Sequence, residues 1–293
     1  MNARTDAGTR IEKTLEAAIA RAGGEGAPPQ LAAAMRYAVF PGGARIRPRL
    51  ALGVAGACGN DQPGLAAAAA AAIELLHCAS LVHDDLPCFD NAATRRGKIS
   101  VHCAFGESLA VLAGDGLIVM AFEILARAGV EAPHRLAPLV TTIAASTGMP
   151  NGIVAGQAWE SEPEIDLSQY HRAKTGALFS AATRAGALAA GGDPDAWRPL
   201  GEFLGEAYQV ADDLHDIASD AADIGKPTGQ DAAHGRASAA ALLGVDGAID
   251  RLDALVADAI ASIPPCAGAA ELKAVIRVAA ERFVPKSLAR VAA

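Results

Sequence analysis

The chain has 293 residues, 52% hydrophobic and 4% aromatic, which is ample material for a core but a poor composition for sheets. Its formal charge of −8 disfavours general attraction to nucleic acid or to an anionic membrane surface, so any anionic ligand has to be met by local cations. Five scattered cysteines, at 58, 78, 88, 103 and 266, form no C-x-x-C pair; this argues against a disulfide framework and a thiolate zinc site, and fits a reduced, cytoplasmic protein.

In chain order, the opening stretch "MNARTDAGTRIEKTLEAAIARAGG" has no apolar signal core, and its acidic residues argue against a transit peptide. Helical periodicity then predicts helices over 9–23, 29–39, 48–58, 64–85, 106–129, 132–148, 150–160, 168–190, 195–218, 234–262 and 269–290. Short breakers separate them, among them "GGEGAPP", "FPGGARIRP", "GNDQPG", "GGDPD", "IGKPTGQD" and "SIPPCAG". Candidate strands are nearly absent, and alanine runs such as "LAAAAAAAIELL" (65–76) favour closely packed helices. The expected architecture is all-α, one domain over 1–293 with ten or more helices. The longest uncharged run, 136–159, is interrupted by Gly148, Pro150, Asn151 and Gly152, so it reads as two buried helices meeting and not as a membrane span.

Charge gathers at a few helix ends. Basic residues cluster at "GGARIRPR" (42–49), "RRGK" (95–98), "HRAKTG" (171–176) and "IGKPTG" (224–229), and two aspartate groups stand beside them. The first group is Asp84, Asp85 and Asp90. Pro87 disfavours helical geometry at Leu86, so the helix should end near Asp85 and leave Asp90 in the following turn. On an unbroken helix Asp84 and Asp90 would be about 120° apart, so their convergence needs that break. The second group, in "GEAYQVADDLHDIASD" (205–220), is Asp212, Asp213 and Asp216, with Asp212 and Asp216 one turn apart and Gln209 about a turn earlier.

If the two groups share a cavity, the repulsion among their carboxylates requires cations, and hard, oxygen-loving divalent ions suit them: magnesium first, manganese as the alternative. An EF-hand loop is excluded, because counting twelve from Asp84 or Asp85 reaches Arg95 or Arg96 where a glutamate belongs. Phosphate-loop, zincin and serine-hydrolase signatures are absent. Metal-binding carboxylates next to arginine and lysine suit a ligand with several anionic oxygens, a diphosphate best. Pro48, expected as the first residue of its helix, would leave Arg45 and Arg47 at a positive helix N-terminus. His77, about two turns before Asp84, reads equally as a core histidine or a ligand.

These residues together resemble the trans-type polyprenyl diphosphate synthases, most closely the bacterial geranylgeranyl diphosphate synthases of carotenoid and photosynthetic-pigment pathways. "HDDLPCFD…RRGK" is similar to the family's first aspartate-rich motif and "GEAYQVADDLHD" to its second; "GGARIRP", "GQAWE", "KTGALF" and "GKPTGQD" follow the family order, so the match spans about 30–235. The resemblance implies a helical bundle around a central apolar cavity, usually a homodimer; the negative net charge implies no nucleic-acid partner. It implies that Asp84, Asp85, Asp90, Asp212 and Asp216 hold magnesium bridged to an allylic diphosphate. Arg95, Lys174, Thr175, Gln209 and Lys226 would contact that diphosphate, while Arg47, His77 and Arg96 would bind isopentenyl diphosphate. Asp84, Asp85, Asp90, Lys174, Asp212 and Lys226 would then carry the catalytic roles.

The implied reaction is a magnesium-dependent head-to-tail condensation. In the family an aromatic residue four or five places before the first aspartate stops growth at farnesyl. Here those places hold Ser80 and Ala79, and the small floor implies extension to the geranylgeranyl product. Ideal helix angles align Ser80, His77 and Ile73 with Asp84, but not Ala79. The chain departs from the family at Ala44, where a lysine is usual, at Glu160, where "GQ-x-x-D" has aspartate, and near Arg236. The alternatives are a synthase of farnesyl or another length, a non-catalytic partner subunit, a terpene cyclase and an acidic scaffold. Two complete aspartate motifs and few aromatics speak against the cyclase and the partner subunit.

Overall fold

The computed structural model describes residues 3–164, 166–218, 239–280 and 283. Helices dominate, as the composition requires: α1 (Ala3–Ala22), α2 (Pro29–Val39), α3 (Ile46–Ala57), α4 (Pro63–Asp84), α5 (Val101–Phe105), α6 (Glu107–Ala128), α7 (Pro133–Thr147), α8 (Ile153–Ala158), α9 (Leu167–His171), α10 (Ala177–Ala189), α11 (Arg198–Ala218), α12 (Ala239–Ala261) and α13 (Ala269–Ala280). α4 is the centre of the main core. Its alanine run is buried, and the small side chains let it pack against α3, α6 and α10 at close range. Ile73, Leu75 and Leu76 of α4, Leu117 and Leu125 of α6, Leu139 and Ile143 of α7 and Phe179 of α10 fill the same core. Each such side chain, fully buried, contributes about 1.5–3 kcal/mol. A second, smaller cluster joins Ala207, Val210, Ala211 and Leu214 of α11 to Ala248, Leu252 and Leu255 of α12.

α4, and α6 with the turn that follows it to Glu131, are long and apolar enough to cross a membrane, but 83% of the α4 window is buried inside the fold, so its apolarity serves the core. The corresponding share for α6 is 44%, and Val111, Leu112 and Val119 remain exposed along it.

Several boundaries differ from the periodicity. α3 begins at Ile46, not at Pro48, which therefore occupies the third position; a proline is tolerated anywhere in the first turn because its missing N–H has no intrahelical partner to lose. The span expected from 150 starts at Ile153, because Met149 to Gly152 form a tight turn, and the span expected over 168–190 is split by a π-helical turn, Arg172–Gly176, between α9 and α10. A short antiparallel hairpin pairs β1 (Thr94–Arg95) with β2 (Lys98–Ile99). Its two turn residues, Arg96 (φ 54°) and Gly97 (φ 70°), are both left-handed, the twist that a two-residue hairpin requires, and strands this short leave no alternation in the sequence.

Gly186 marks where α10 crosses α3: a Cβ there would lie 2.3 Å from the Ala51 carbonyl oxygen. Helix propensity alone makes Gly186→Ala a gain of about 1 kcal/mol. The crossing makes it a net loss of about 1–3 kcal/mol, read by urea denaturation, because the two helices must separate.

Candidate active site

The C-terminal end of α4 sets the site. Asp85 caps the helix, and the loop then folds back: Asp90 N–H donates to the Asp84 carbonyl (3.0 Å) and Ala92 N–H to the Asp85 carbonyl (3.1 Å). This return brings the Asp90 carboxylate beside that of Asp84. Glu160, in the 3-10 turn Trp159–Ser161 after α8, completes a group whose carboxylate oxygens lie within 4.8 Å of one another. Burial first, then repulsion by Asp90 and Glu160, pushes the Asp84 carboxyl up to about 6 against the opposing pull of Lys174 and Arg95. Its Oδ1 is buried with no hydrogen-bond partner, the nearest cation being Lys174 Nζ at 3.5 Å. Three converging hard oxygen donors, one of them orphaned, fit a divalent cation such as magnesium.

Two cations attend this group. Arg95 of β1 donates from Nε (2.8 Å) and Nη2 to Asp85 Oδ1, and lies 3.8 Å from Asp84 and 4.0 Å from Asp90. Asp85 is 2% exposed, and that burial raises its carboxyl despite Arg95. Asp85 is thus engaged with the guanidinium and stands outside the converging three. Lys174 projects from the π turn to Glu160 Oε1 (2.5 Å), which also accepts from Tyr170 Oη (2.7 Å). Glycines seat that turn: a Cβ on Gly156 of α8 would lie 2.4 Å from the Lys174 nitrogen, and one on Gly205 of α11 2.8 Å from Gly176 Cα.

The second aspartate group is on α11. Thr175 Oγ1 donates to Gln209 Oε1 (2.9 Å), and Gln209 Nε2 donates to Asp213 Oδ1 (3.0 Å), which is 4% exposed. Chain neighbours Lys174 and Thr175 therefore link the first group to the second. Asp212 and Asp216 are half-buried on the same helix and do not join the converging three. Lys226 and Arg236 lie outside the described residues.

A further set of cations lies at the start of α3. Arg47 is 8% exposed, its guanidinium 4.5 Å from the Phe179 ring and 5.5 Å from Tyr208, with Nε buried and without a hydrogen-bond partner. Arg96 Nη2 lies 3.1 Å from His77 Nε2. An arginine can only donate, so Nε2 accepts; burial, with Arg47 and Arg96 nearby, holds His77 well below the usual range and keeps it neutral. Arg45 does not take the place of the lysine absent at Ala44: its side chain is turned to Glu12, Glu74 and the Val39 carbonyl. Arg49 has its guanidinium against Gly8 of α1. On α4, Ser80 is half-buried with Oγ on the His77 carbonyl (2.8 Å), and Ala79 is 1% exposed.

Residues 28–270 match the polyprenyl synthetase family. The chain belongs to that family. It is 59% identical over 280 residues to the geranylgeranyl diphosphate synthase of Cereibacter sphaeroides, covering 96% of this chain and 97% of the relative. It is 51% identical over 283 residues to the one from Rhodobacter capsulatus, with 96% and 98% covered. Among solved structures, a Helicobacter pylori geranyltransferase complexed with magnesium and isoprenyl diphosphate superposes with a TM-score of 0.80 at 30% identity, over 95% of this chain and 96% of that one.

Glu160 is the site residue that sequence reasoning left out. It was visible as a departure from the family's aspartate, but its contact with Asp84 and Asp90 depends on where α8 meets the π turn. In this synthetase the raised Asp84 carboxyl has a sign that can be measured. The folded chain holds a proton there more tightly than the unfolded one, so the metal-free protein loses stability as pH rises from about 4 to about 6. Asp84→Asn removes that loss: thermal denaturation without metal at pH 7.5 should show it more stable than the parent by about 3 kcal/mol, while its prenyl transfer should collapse.

Proposed function

We propose that this polyprenyl synthetase, a prenyltransferase taken as one domain over 1–293, condenses isopentenyl diphosphate head-to-tail with allylic diphosphates and releases geranylgeranyl diphosphate. The observation that carries the reading is the meeting of Asp84, Asp90 and Glu160 about an orphaned, buried oxygen, with Arg95 and Lys174 at its edge and the Arg47, His77 and Arg96 set close by. Asp84 and Asp90, with Glu160 beside them and Asp212 and Asp216 from α11, are the proposed magnesium-holding residues; Asp85 is proposed to join them once Arg95 turns from it to the diphosphate. Bound magnesium would supply Lewis-acid stabilisation of the negative charge on a departing diphosphate.

The chain's own residues do the rest. Lys174 and Thr175, with Gln209 behind them and Lys226 from outside the described residues, orient the allylic diphosphate, and Lys174 and Arg95 oppose its growing charge as the allylic carbon–oxygen bond breaks. Arg47 and Arg96 hold the second diphosphate, and neutral His77 has its Nδ1 proton to donate. The isopentenyl double bond forms the new carbon–carbon bond to the allylic carbocation, and the released diphosphate accepts the proton that is then lost. No protein nucleophile is needed. The walls must be apolar and dry, since water would quench the cation.

The small residues Ala79 and Ser80 on α4 support extension to the longer product. The exposed Val111, Leu112 and Val119 on α6 support a homodimer, which sedimentation at twice the chain mass would check. The chain is taken to work in the cytoplasm.

Incubation with isopentenyl diphosphate and each allylic primer, with and without magnesium, should give a twenty-carbon, magnesium-dependent product by mass spectrometry. Ala79→Phe should shorten it, and an unchanged length would show that the floor lies elsewhere. Absence of product with every primer would favour a partner subunit and point to Ala44.

A further inference from the structure

Arg45 is a residue that the reaction does not use, yet the fold goes to some length to hold it. It caps α3 in the left-handed conformation (φ 52°, ψ 41°), which for a side chain other than glycine is unfavourable. It is 5% exposed, and its guanidinium is occupied on all sides: Nε donates to Glu12 Oε1 (2.8 Å), Nη1 to Glu74 Oε1 (2.6 Å), and Nη2 to the Val39 carbonyl (2.9 Å) and Glu12 Oε2 (3.3 Å). Gly42 makes the room, since a Cβ there would lie 2.0 Å from the guanidinium carbon. One side chain thus ties α1, the end of α2 and α4 to the start of α3. The loop before α3 has a second tie, Lys98 Nζ donating to the Phe40 carbonyl (2.9 Å) and the Tyr37 carbonyl (3.2 Å). The latter is the oxygen that Pro41, lacking an N–H, cannot serve.

The two ends of the Arg45–Glu74 pair stand next to binding groups. Arg47 follows Arg45 by two residues in the first turn of α3, and His77 follows Glu74 by about one turn of α4. Glu74 is 2% exposed, so the pair is a buried, short strut and not a surface ion pair that solvent would loosen. We infer that Arg45 and Glu74, braced by Glu12, are positioning residues that set the separation of Arg47 from His77 and thereby the grip on isopentenyl diphosphate. This rests on the reading in which Arg47, His77 and Arg96 hold that diphosphate. The Arg45 guanidinium is spent on Glu12, Glu74 and the Val39 carbonyl, so the effect of the strut falls on ground-state binding of one substrate and leaves the ionisation step at Asp84 and Lys174 alone.

Steady-state kinetics with each substrate varied in turn tests this on Glu74→Gln, Glu12→Gln and Arg47→Gln. Glu74→Gln keeps the shape and removes the charge. It should raise KM for isopentenyl diphosphate about tenfold, with kcat within about twofold of the parent and KM for the allylic primer unchanged. Glu12→Gln, at a side chain 44% exposed and so safe for folding, should move the same constant in the same direction, about two- to threefold. A general structural role would lower kcat and alter both KM values together, or lower only the melting temperature; either pattern overturns the inference. If Glu74→Gln does not fold, an unmoved isopentenyl KM in Glu12→Gln overturns it by itself. Arg47→Gln separates the two levels: an unchanged isopentenyl KM there sinks the underlying reading, whereas a rise in Arg47→Gln without one in either glutamate variant leaves that reading standing and sinks the strut.

Discussion

A carboxylate buried at the wrong end of a helix is the constraint around which the site is built. Asp84 closes α4, where the helix macrodipole is negative, and Asp90 and Glu160 approach it closely. Helix end, neighbours and desolvation all oppose its charge, and one of its oxygens has no hydrogen-bond donor. Such an arrangement is unfavourable by itself and becomes favourable when a divalent cation is held there. Arg95 (3.8 Å) and Lys174 (3.5 Å) offset the liability in part, each while paired more closely with another carboxylate, Asp85 and Glu160 respectively.

The framework that maintains this is made of small residues. The alanines of α4 let neighbouring helices come near enough to hold the helix rigidly, and Gly156 and Gly205 clasp the π turn so that Lys174 faces the first aspartate group while Thr175 bonds to the second. A regular α-helix through 172–176 would turn these two neighbours by about 100° from each other without the widened turn that seats them between α8 and α11. On the far side, Phe179 and Tyr208 flank Arg47, and the Arg45–Glu74 pair secures the base of its helix. These cationic and polar groups are therefore held by packing against helices, the condition under which electrostatic stabilisation is preorganised.

Much of the organisation was legible because it depends on local chemistry. The end of α4 just before the Leu86–Pro87 step, the turn that carries Asp90 and the helical class follow from proline sterics, periodicity and composition. Other features were not legible. The Arg95–Lys98 hairpin is too short to show alternation, the start of α3 precedes Pro48 because a first-turn proline does not mark the first residue uniquely, and the π turn has no distinct composition. Arg45 read as a cation free to meet a ligand, and the fold instead buries it against two glutamates.

What the sequence determined by itself was the all-helical class, the two aspartate groups with their cations and the family they resemble, since these depend on residue type and on spacings within one or two helical turns. The tertiary structure decided which charges meet. Glu160 joins Asp84 and Asp90, Asp85 turns to Arg95, and Arg45 becomes a strut while Arg47 keeps an unpartnered donor. The partners in these contacts come from different elements, up to some 75 residues apart, so each partner is set by how helices pack against one another. Packing of that kind depends on small residues such as Gly42, Gly156 and Gly205, whose function is visible only in the atoms that approach them.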